Sequence, residues 1–393
     1  MRVSSKHSRR LSLREGVFAL ALTTALVPEV SAAEDATWGT CHPPNAYMQR
    51  NLVSDNGVPG TTVDPNLVNP WGIAFNPFGA VWISDNEAGV STLYDGNGVI
   101  QPLVVTIPSP PGDTGPGRPT GIVFNGSPGF VVTNGTTSAP GRFIFVTEQG
   151  TVAAWSPTVD LTHALLVVDN SAKDAIYKGL ALAGDGTGLF LFATDFHNGR
   201  IDVFNSNFAP VSSPGAFHDP FLPAGYAPFG IQNINGSLYV TYAKQDEDKE
   251  DDVAGKGFGF VNVFDASGQF VRRLITRGRL NAPWGLALAP ASFGKFSNHL
   301  LVGNFGDGRI NAYDPITGRF KGRLERPNGN AIEIEGLWGL SFGNGLLDQP
   351  TDTLFFTSGP DDEEHGLYGR LDARQCPTAE LAPDTSEPEP ESE

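Results

Sequence analysis

The sequence predicts an all-β fold, a six-bladed β-propeller of four-stranded antiparallel blades, from three observations. A short glycine-centred phrase recurs six times at intervals of 49 to 58 residues, the span of a propeller blade with long loops. Each phrase is followed by further β-rich runs. The last repeat lacks its outer strand, and a matching strand stands alone near the N-terminus.

The repeated phrase predicts the innermost strand of each blade. The six phrases are residues 69–75, 118–124, 176–182, 227–232, 282–288 and 336–342, and their shared glycines are Gly72, Gly121, Gly179, Gly230, Gly285 and Gly339. Six inner strands converge on one axis in such a fold, so a residue without a Cβ lets neighbouring backbones approach closely. The Ile, Leu and Phe that follow are expected to pack between blades.

The remaining strands of each blade follow from alternating, β-branched and aromatic runs separated by polar turns. The second strands are predicted at 80–84, 142–147, 189–194, 237–241, 299–303 and 353–357. The third strands are predicted at 89–94, 150–155, 199–204, 259–264, 308–313 and 366–371. The first five repeats then continue into an outer strand, clearest at 102–106, 164–168 and 272–276.

Ring closure is predicted from the isolated strand at residues 50–54, which we assign to the edge of the sixth blade, antiparallel to residues 366–371. This pairing would bring Cys41 and Cys376 together just outside the ladder. They are the only two cysteines, and in an exported protein one disulfide is the simplest interpretation. In the chain-entropy model this disulfide would add about 4–5 kcal/mol to the free energy of unfolding. Two unpaired buried thiols are the alternative.

The chain divides into three segments. Arg9, Arg10 and Arg14 precede an apolar run at 16–27 and small residues at 30–33, which is typical of a signal peptide over residues 1–32. Residues 8–14 also fit a twin-arginine signal, so the export route stays open. The propeller is predicted over 33–376, and the acidic, Pro- and Glu-rich tail at 377–393 is expected to be disordered. The sequence predicts export to the periplasm or the extracellular space.

The charge of the chain restricts its partners. It carries 43 acidic and 26 basic residues, for a formal net charge of −17. Nucleic acid is not expected as a partner, because a polyanion needs clustered Lys and Arg. No segment after the leader has the roughly 20 apolar residues of a transmembrane helix. We expect a monomer whose partner is a small molecule or a protein, with cations and basic groups favoured.

The repeat resembles a known type. The pattern Pro-x-Gly-Ile-Ala, a β-rich run ending in Asp, and then Gly-Arg-Ile-x-Val-Phe is similar to the NHL repeat, with 195–204 the best match. Residues 50–56 and 69–72 resemble a family of exported, mostly bacterial proteins of unknown function, and the similarity covers nearly the whole mature chain. The resemblance implies a six-bladed propeller and an exported location but no reaction. Six-bladed relatives include calcium-dependent hydrolases of the gluconolactonase and paraoxonase type, strictosidine synthase and virginiamycin B lyase, and fold alone does not choose among them.

Acidic loops are predicted to gather at one mouth of the channel, because the turns into the inner strand and those between the second and third strands open on the same face. These loops are residues 85–87, 195–198, 245–252, 304–307 and 361–365. Carboxylate and amide oxygens are the ligands of Ca²⁺, so Asp85, Glu148, Asp195 and Asn304 form a candidate metal site with Ca²⁺ as its candidate ion. The alternative is a set of solvated charged loops.

The residue before each repeated glycine is predicted to belong to one ring near the same mouth. The ring consists of Trp71, Thr120, Lys178, Phe229, Trp284 and Trp338. Its four aromatic residues can stack on a sugar or hold an organic cation, which makes them candidate ligand-binding residues together with Lys178. The alternative is that the aromatic residues plug the channel and that Lys178 forms a salt bridge to the acidic loops.

No residue is assigned a catalytic role from the sequence. The segment 339–343 matches G-x-S-x-G, but Ser341 falls in an inner strand rather than in the strand-turn-helix of a nucleophile elbow. His197, His218 and His365 fall in loops without the spacing of a zinc site.

Three functional hypotheses follow. The first is an exported propeller that binds a small ligand, a cation or a protein at the acidic, aromatic-rimmed mouth. The second is a calcium-dependent hydrolase, lactonase or lyase that uses the same channel. The third is a structural scaffold at the cell surface.

Overall fold

A computed structural model of the chain describes residues 46–212 and 215–374. These residues form 26 β-strands and two single-turn 3₁₀ helices, at Ser171–Lys173 and Gly294–Phe296. The all-β prediction is therefore confirmed. In the described part of the chain no helix is long and apolar enough to cross a membrane.

The strands of the first half follow the chain in order. The first two are β1 (Tyr47–Ser54) and β2 (Thr62–Val63), which belong to the last blade. Blade 1 contains β3 (Pro70–Phe75), β4 (Val81–Asp85), β5 (Val90–Tyr94) and β6 (Val105–Thr106). Blade 2 contains β7 (Pro119–Phe124), the small hairpin β8 (Val131–Thr133) and β9 (Ser138–Pro140), and then β10 (Phe143–Thr147), β11 (Thr151–Trp155) and β12 (Leu165–Asp169). Blade 3 contains β13 (Tyr177–Gly184), β14 (Leu189–Asp195) and β15 (Arg200–Asn205).

The second half repeats the pattern. Blade 4 contains β16 (Tyr226–Ile234), β17 (Ser237–Lys244), β18 (Phe260–Asp265) and β19 (Phe270–Thr276). Blade 5 contains β20 (Pro283–Leu288), β21 (Leu300–Asn304), β22 (Ile310–Tyr313) and β23 (Phe320–Arg323). Blade 6 contains β24 (Leu337–Phe342), β25 (Thr353–Ser358) and β26 (Leu367–Ala373). In every blade the glycine-centred strand is innermost, and neighbouring strands of the blade pair antiparallel, except β1 and β2 in blade 6.

Two blades depart from the predicted four strands. In the described residues, blade 3 has three strands, and a single bridge between Phe204 and Pro210 stands where an outer strand was expected. Proline has no backbone N–H to donate to a ladder, which accounts for the short pairing. Blade 6 has a fifth strand, because β2 pairs in parallel with β1 at Val53 and Ser54.

The ring closes as the sequence predicted. Strand β1 pairs antiparallel with β26, placing Arg50 opposite Arg370 and Ser54 opposite Leu367, with a bulge between Asn51 and Val53. The last blade therefore takes its outer strands from the other end of the chain. Cys41 and Cys376 lie outside the described residues, so their disulfide stays a prediction.

The repeated glycines line the axis at very short distances from the next blade. A Cβ added to Gly72 would lie 2.3 Å from the carbonyl oxygen of Thr120, and one added to Gly230 would lie 2.1 Å from that of Trp284. A Cβ on Gly339 would lie 2.7 Å from the carbonyl oxygen of Trp71. Real side chains do not fit at such separations, so glycine is required there by the convergence of the inner strands.

Candidate functional site at the channel mouth

The strand pairing determines which side chains face the axis. In the innermost pairs, Pro70 lies opposite Asp85, Tyr177 opposite Asp195 and Pro283 opposite Asn304. The equivalent pair in blade 2 is Pro119 and Thr147. Glu148 is thus one residue beyond the position that the other three predicted metal ligands share. Strand β10 ends at Thr147, so Glu148 lies in the turn that follows, where its carboxylate pairs with Lys178 instead.

The other three predicted ligands are hydrogen-bonded locally. Asp85 is buried and accepts a hydrogen bond from the backbone N–H of Thr92 at 2.9 Å. Asp195 lies 3.2 Å from the Arg200 guanidinium. Asn304 donates to the carbonyl oxygen of Arg279 at 2.8 Å. Over the described ranges no group of three or more His, Cys, Asp or Glu side chains is placed to hold a metal ion. Ca²⁺ binding therefore stays a prediction, and these residues do not supply a set of ligands for it.

The aromatic ring forms a packed plug across the top of the channel. Trp71, Phe229, Trp284 and Trp338 are all buried. Trp71 stacks on Trp338 with ring centroids 3.5 Å apart, and Trp284 meets both rings edge-on at 6.1 and 5.7 Å. Below them the axial cavity, lined by the repeated glycines, measures only about 40 Å³. The geometry matches the packing interpretation, and a role for the four rings in ligand binding stays a prediction.

Lys178 lies beside this plug and is fully buried. Its Nζ is 2.5 Å from Glu148 Oε1 and 3.1 Å from Asp251 Oδ1, and it lies 5.0 Å from the centroid of the Trp71 ring. Burial lowers the pKa of Lys178, but attraction to Glu148 and Asp251 outweighs it and raises the pKa above its ordinary value. Lys178 is therefore charged, and the salt bridge to an acidic loop is observed.

Two asparagines hold carboxylates at this mouth, and one of them also contacts the plug. Asn86 donates from Nδ2 to Glu148 Oε2 at 3.0 Å. Asn69 donates from Nδ2 to Glu363 Oε2 at 2.9 Å and accepts a hydrogen bond from Trp338 Nε1 at 3.2 Å. The orientation of Glu363 is thus tied to the packing of the aromatic plug.

Two carboxyl groups at this mouth have strongly raised pKa values. Burial, reinforced by the negative charge of Glu148, raises the pKa of Glu363 to about 8 against the opposing effect of Lys178. Burial likewise raises the pKa of Asp252 to about 7, again against Lys178. Within the described residues, Asp252 Oδ2 is buried without a hydrogen-bond partner. Both groups therefore titrate near neutral pH.

Above the plug lies a cleft of about 480 Å³, which we call the acidic cleft. Its walls carry the carboxylates of Glu87, Asp113, Glu148, Glu250, Asp251 and Glu363. Among the described residues that line it, Arg118 is the one cationic side chain. A cleft with this lining attracts cations and repels anions.

Several residues of this site were missed at the sequence level. Glu363, Asp251 and Asp252 belong to acidic loops that the sequence identified, but nothing in the sequence distinguished them from their neighbours. Asn69 begins the first repeated phrase, where the other five have Arg, Ile, Ala, Ala and Gly. That difference between repeats was the one available signal.

The remaining sequence candidates lie elsewhere. Ser341 is in β24, an inner strand as expected. His365 Nδ1 lies 2.8 Å from Asp55 Oδ2, and this hydrogen bond raises the pKa of the imidazole.

Comparison with known proteins establishes the family. No protein-family model matches the chain. An uncharacterised protein of Acanthamoeba polyphaga mimivirus is 37% identical over 332 residues, which are 81% of this chain and 78% of the viral protein. A second uncharacterised mimivirus protein is 35% identical over 331 residues, 81% of this chain and 84% of its own length. The chain belongs to the family of these mimivirus proteins. These relatives are viral, where the sequence resemblance had indicated mostly bacterial ones, and they carry no known function.

Solved structures with related shape have low sequence identity. A streptogramin B lyase has a TM-score of 0.49 and 14% identity, covering 84% of this chain and 97% of the lyase. A glucose dehydrogenase has a TM-score of 0.48 and 14% identity, covering 79% of this chain and 98% of that enzyme. Similarity at this level says nothing about activity, and the blade number follows from the six sheets themselves.

Proposed function

We propose that this chain is an exported binding protein whose acidic cleft takes the amine or guanidinium group of an organic cation. One observation carries the proposal: six acidic side chains line the cleft, and Arg118 is the one cation among its described lining residues. Lys178, at its base, is already paired with Glu148 and Asp251. A ligand cation would supply the missing counter-charge. Export rests on the leader sequence alone.

An organic cation fits the lining better than a metal ion. Calcium requires six to eight oxygen ligands converging on one point, and no such group of carboxylates occurs in the described part of the chain. The Lys178 ammonium occupies the point between Glu148 and Asp251. The carboxylates that remain are spread over the walls of a cleft, an arrangement that suits an extended ligand with charged ends.

Glu363 gives the proposed binding a pH signature. Its raised pKa of about 8 means that the group holds a proton at neutral pH, and a cation bound beside it would favour the ionised form. Binding would therefore release a proton, and affinity would rise as the pH increases from about 6 to about 9.

Isothermal titration of the full chain with spermidine, a linear polyamine, tests the proposal. We expect saturable binding, proton release measured in two buffers of different ionisation enthalpy, and about tenfold weaker binding in Glu363→Gln and Glu148→Gln, since a charge-assisted hydrogen bond is lost. Glu247→Gln is the matched control, because Glu247 is an exposed residue of the acidic loop 245–252 that does not line the cleft.

Titration with CaCl₂ separates the alternatives. Stoichiometric Ca²⁺ binding that is lost in Asp85→Asn would favour the calcium-dependent hydrolase and overturn the proposal. Spermidine binding of equal strength in Glu363→Gln, Glu247→Gln and the unmodified chain would also overturn it.

A further inference from the structure

A second groove, formed by β22, β23 and loops of blades 4 and 5, has the opposite charge. It lies between the outer parts of blades 4 and 5 and has a volume of about 340 Å³. Its lining includes four cationic side chains, Lys256, Arg279, Arg309 and Arg323, and two carboxylates, Asp307 and Glu325. We call it the lateral groove. It is positively charged in a chain whose net charge is −17.

The two carboxylates of the lateral groove are already paired. Arg323 Nε lies 3.3 Å from Glu325 Oε1. Arg309 lies 3.8 Å from Asp307 Oδ2 and 2.6 Å from Glu333 Oε1. Lys256 and Arg279, by contrast, form no ion pair among residues 46–212 and 215–374. Two cations therefore face the same groove without a counter-charge.

Arg279 is exposed and packs against an aromatic ring. Its guanidinium lies 5.5 Å from the centroid of the Phe320 ring, a cation–π contact. Its carbonyl oxygen accepts a hydrogen bond from Asn304 Nδ2 at 2.8 Å, which anchors the backbone of the β19–β20 loop to β21. A guanidinium that packs on a ring samples fewer positions in the free protein, which reduces the entropy lost on binding.

We propose that the lateral groove is an anion site for a phosphate or sulfate group, bound by Lys256 and Arg279. Arginine donates two parallel hydrogen bonds to a tetrahedral oxyanion, and lysine adds a point charge. The volume suits one such group with a small attached moiety rather than a long polyanion. This site is separate from the acidic cleft and does not depend on the function proposed for that cleft.

Isothermal titration of the full chain tests the site with sodium sulfate, sodium phosphate and glycerol 2-phosphate, each compared with NaCl at equal ionic strength. We expect binding of the oxyanions above the chloride baseline, weakened about tenfold in Lys256→Met and in Arg279→Met. Tighter binding of the phosphate ester than of the inorganic ions would assign the group to an organic ligand. Equal affinity for the phosphate ester and the inorganic ions would assign the site to the free ion.

The controls separate this site from general electrostatics and from the acidic cleft. Arg319→Met removes an exposed cation of the same blade that does not line the groove, and it should bind sulfate like the unmodified chain. Lys256→Met should leave spermidine binding unchanged. If Arg279→Met does not fold, the oxyanion affinity of Lys256→Met tests the proposal by itself. Lys256 is exposed and lies outside the Phe320 contact. Oxyanion binding no stronger than chloride binding, or equal binding by folded Lys256→Met, overturns the proposal.

Discussion

Lys178 occupies a ring position that aromatic residues fill in four of the six blades. A buried ammonium is costly unless it is paired and hydrogen-bonded, and Glu148 and Asp251 meet that requirement. Burial raises the pKa of Glu363, and the negative charges of the same two carboxylates raise it further. This single lysine in the plug is thus the counter-charge of two of the six acidic side chains that line the acidic cleft.

Glu363→Gln tests this electrostatic balance through stability. The pKa of Glu363 is about 8 in the folded chain and near 4.5 in the unfolded one. Between these values the folded state keeps a proton that the unfolded state has released, so the stability that Glu363 contributes is complete below about pH 4.5 and is lost as the pH rises towards about 8. We expect the free energy of unfolding to fall less steeply over this range in the variant.

The measurement is urea denaturation at several pH values from 5 to 9. Glu247→Gln, on the exposed part of the acidic loop, should follow the unmodified chain. If the free energy of unfolding depends on pH in the same way for Glu363→Gln and the unmodified chain, the ionised form of Glu363 is not destabilised by its surroundings.

At the level of the strands, the β-ladder register determined the site. Glu148 and Thr147 are neighbours, yet the strand pairing places Thr147 with Asp85, Asp195 and Asn304 and sends Glu148 towards Lys178. Thr147 is the last residue of β10, and Glu148 is the first residue of the turn that follows it. The sequence identified the strand and its acidic end but could not resolve that single step.

The inner strands also share a hydrogen-bonded link across blade boundaries. Thr357 accepts from the Gly339 N–H at 2.9 Å and lies 2.6 Å from the carbonyl oxygen of Trp71, to which it donates. Thr194 makes the same link between Gly179 and Phe229. These hydroxyls satisfy backbone groups where a missing Cβ leaves the strands in close contact.

Gly230→Ala tests the convergence of the inner strands. The added Cβ would meet the Trp284 carbonyl oxygen at 2.1 Å, and backbone cannot move aside as a side chain can, so we expect a loss of about 3 kcal/mol in the free energy of unfolding. Gly79→Ala is the matched control, because its new Cβ would lie 3.5 Å from the nearest atom and should change stability by less than about 0.5 kcal/mol. Similar denaturation midpoints for the two variants would contradict the packing argument.

At the scale of the whole molecule, closure makes both ends of the chain part of one sheet. Val53 in β1 is completely buried in a core cluster shared by blades 6 and 1, whereas Met48 on the same strand is 47% exposed. The stability of the ring therefore depends on a strand more than 300 residues away in sequence from its partner β26.

Val53→Asp tests whether the ring unfolds as a unit. A buried, unpaired carboxylate at the closure should cost more than about 3 kcal/mol, and tryptophan fluorescence and far-UV circular dichroism should report a single shared transition. Met48→Asp should change stability by less than about 1 kcal/mol because its side chain reaches water. Separate transitions for the two probes would mean that blade 6 opens without the rest.

By itself the sequence determined the blade number, the glycine-centred inner strands and the closing strand, because each depends on hydrophobic periodicity and turn residues that are local along the chain. Tertiary structure alone decided that the aromatic ring packs into a plug, that Glu148 turns to Lys178, and that Lys256 and Arg279 share a groove. Those arrangements depend on distances between loops of different blades. The interaction energy of two charges depends on their separation in space, not on their separation in sequence.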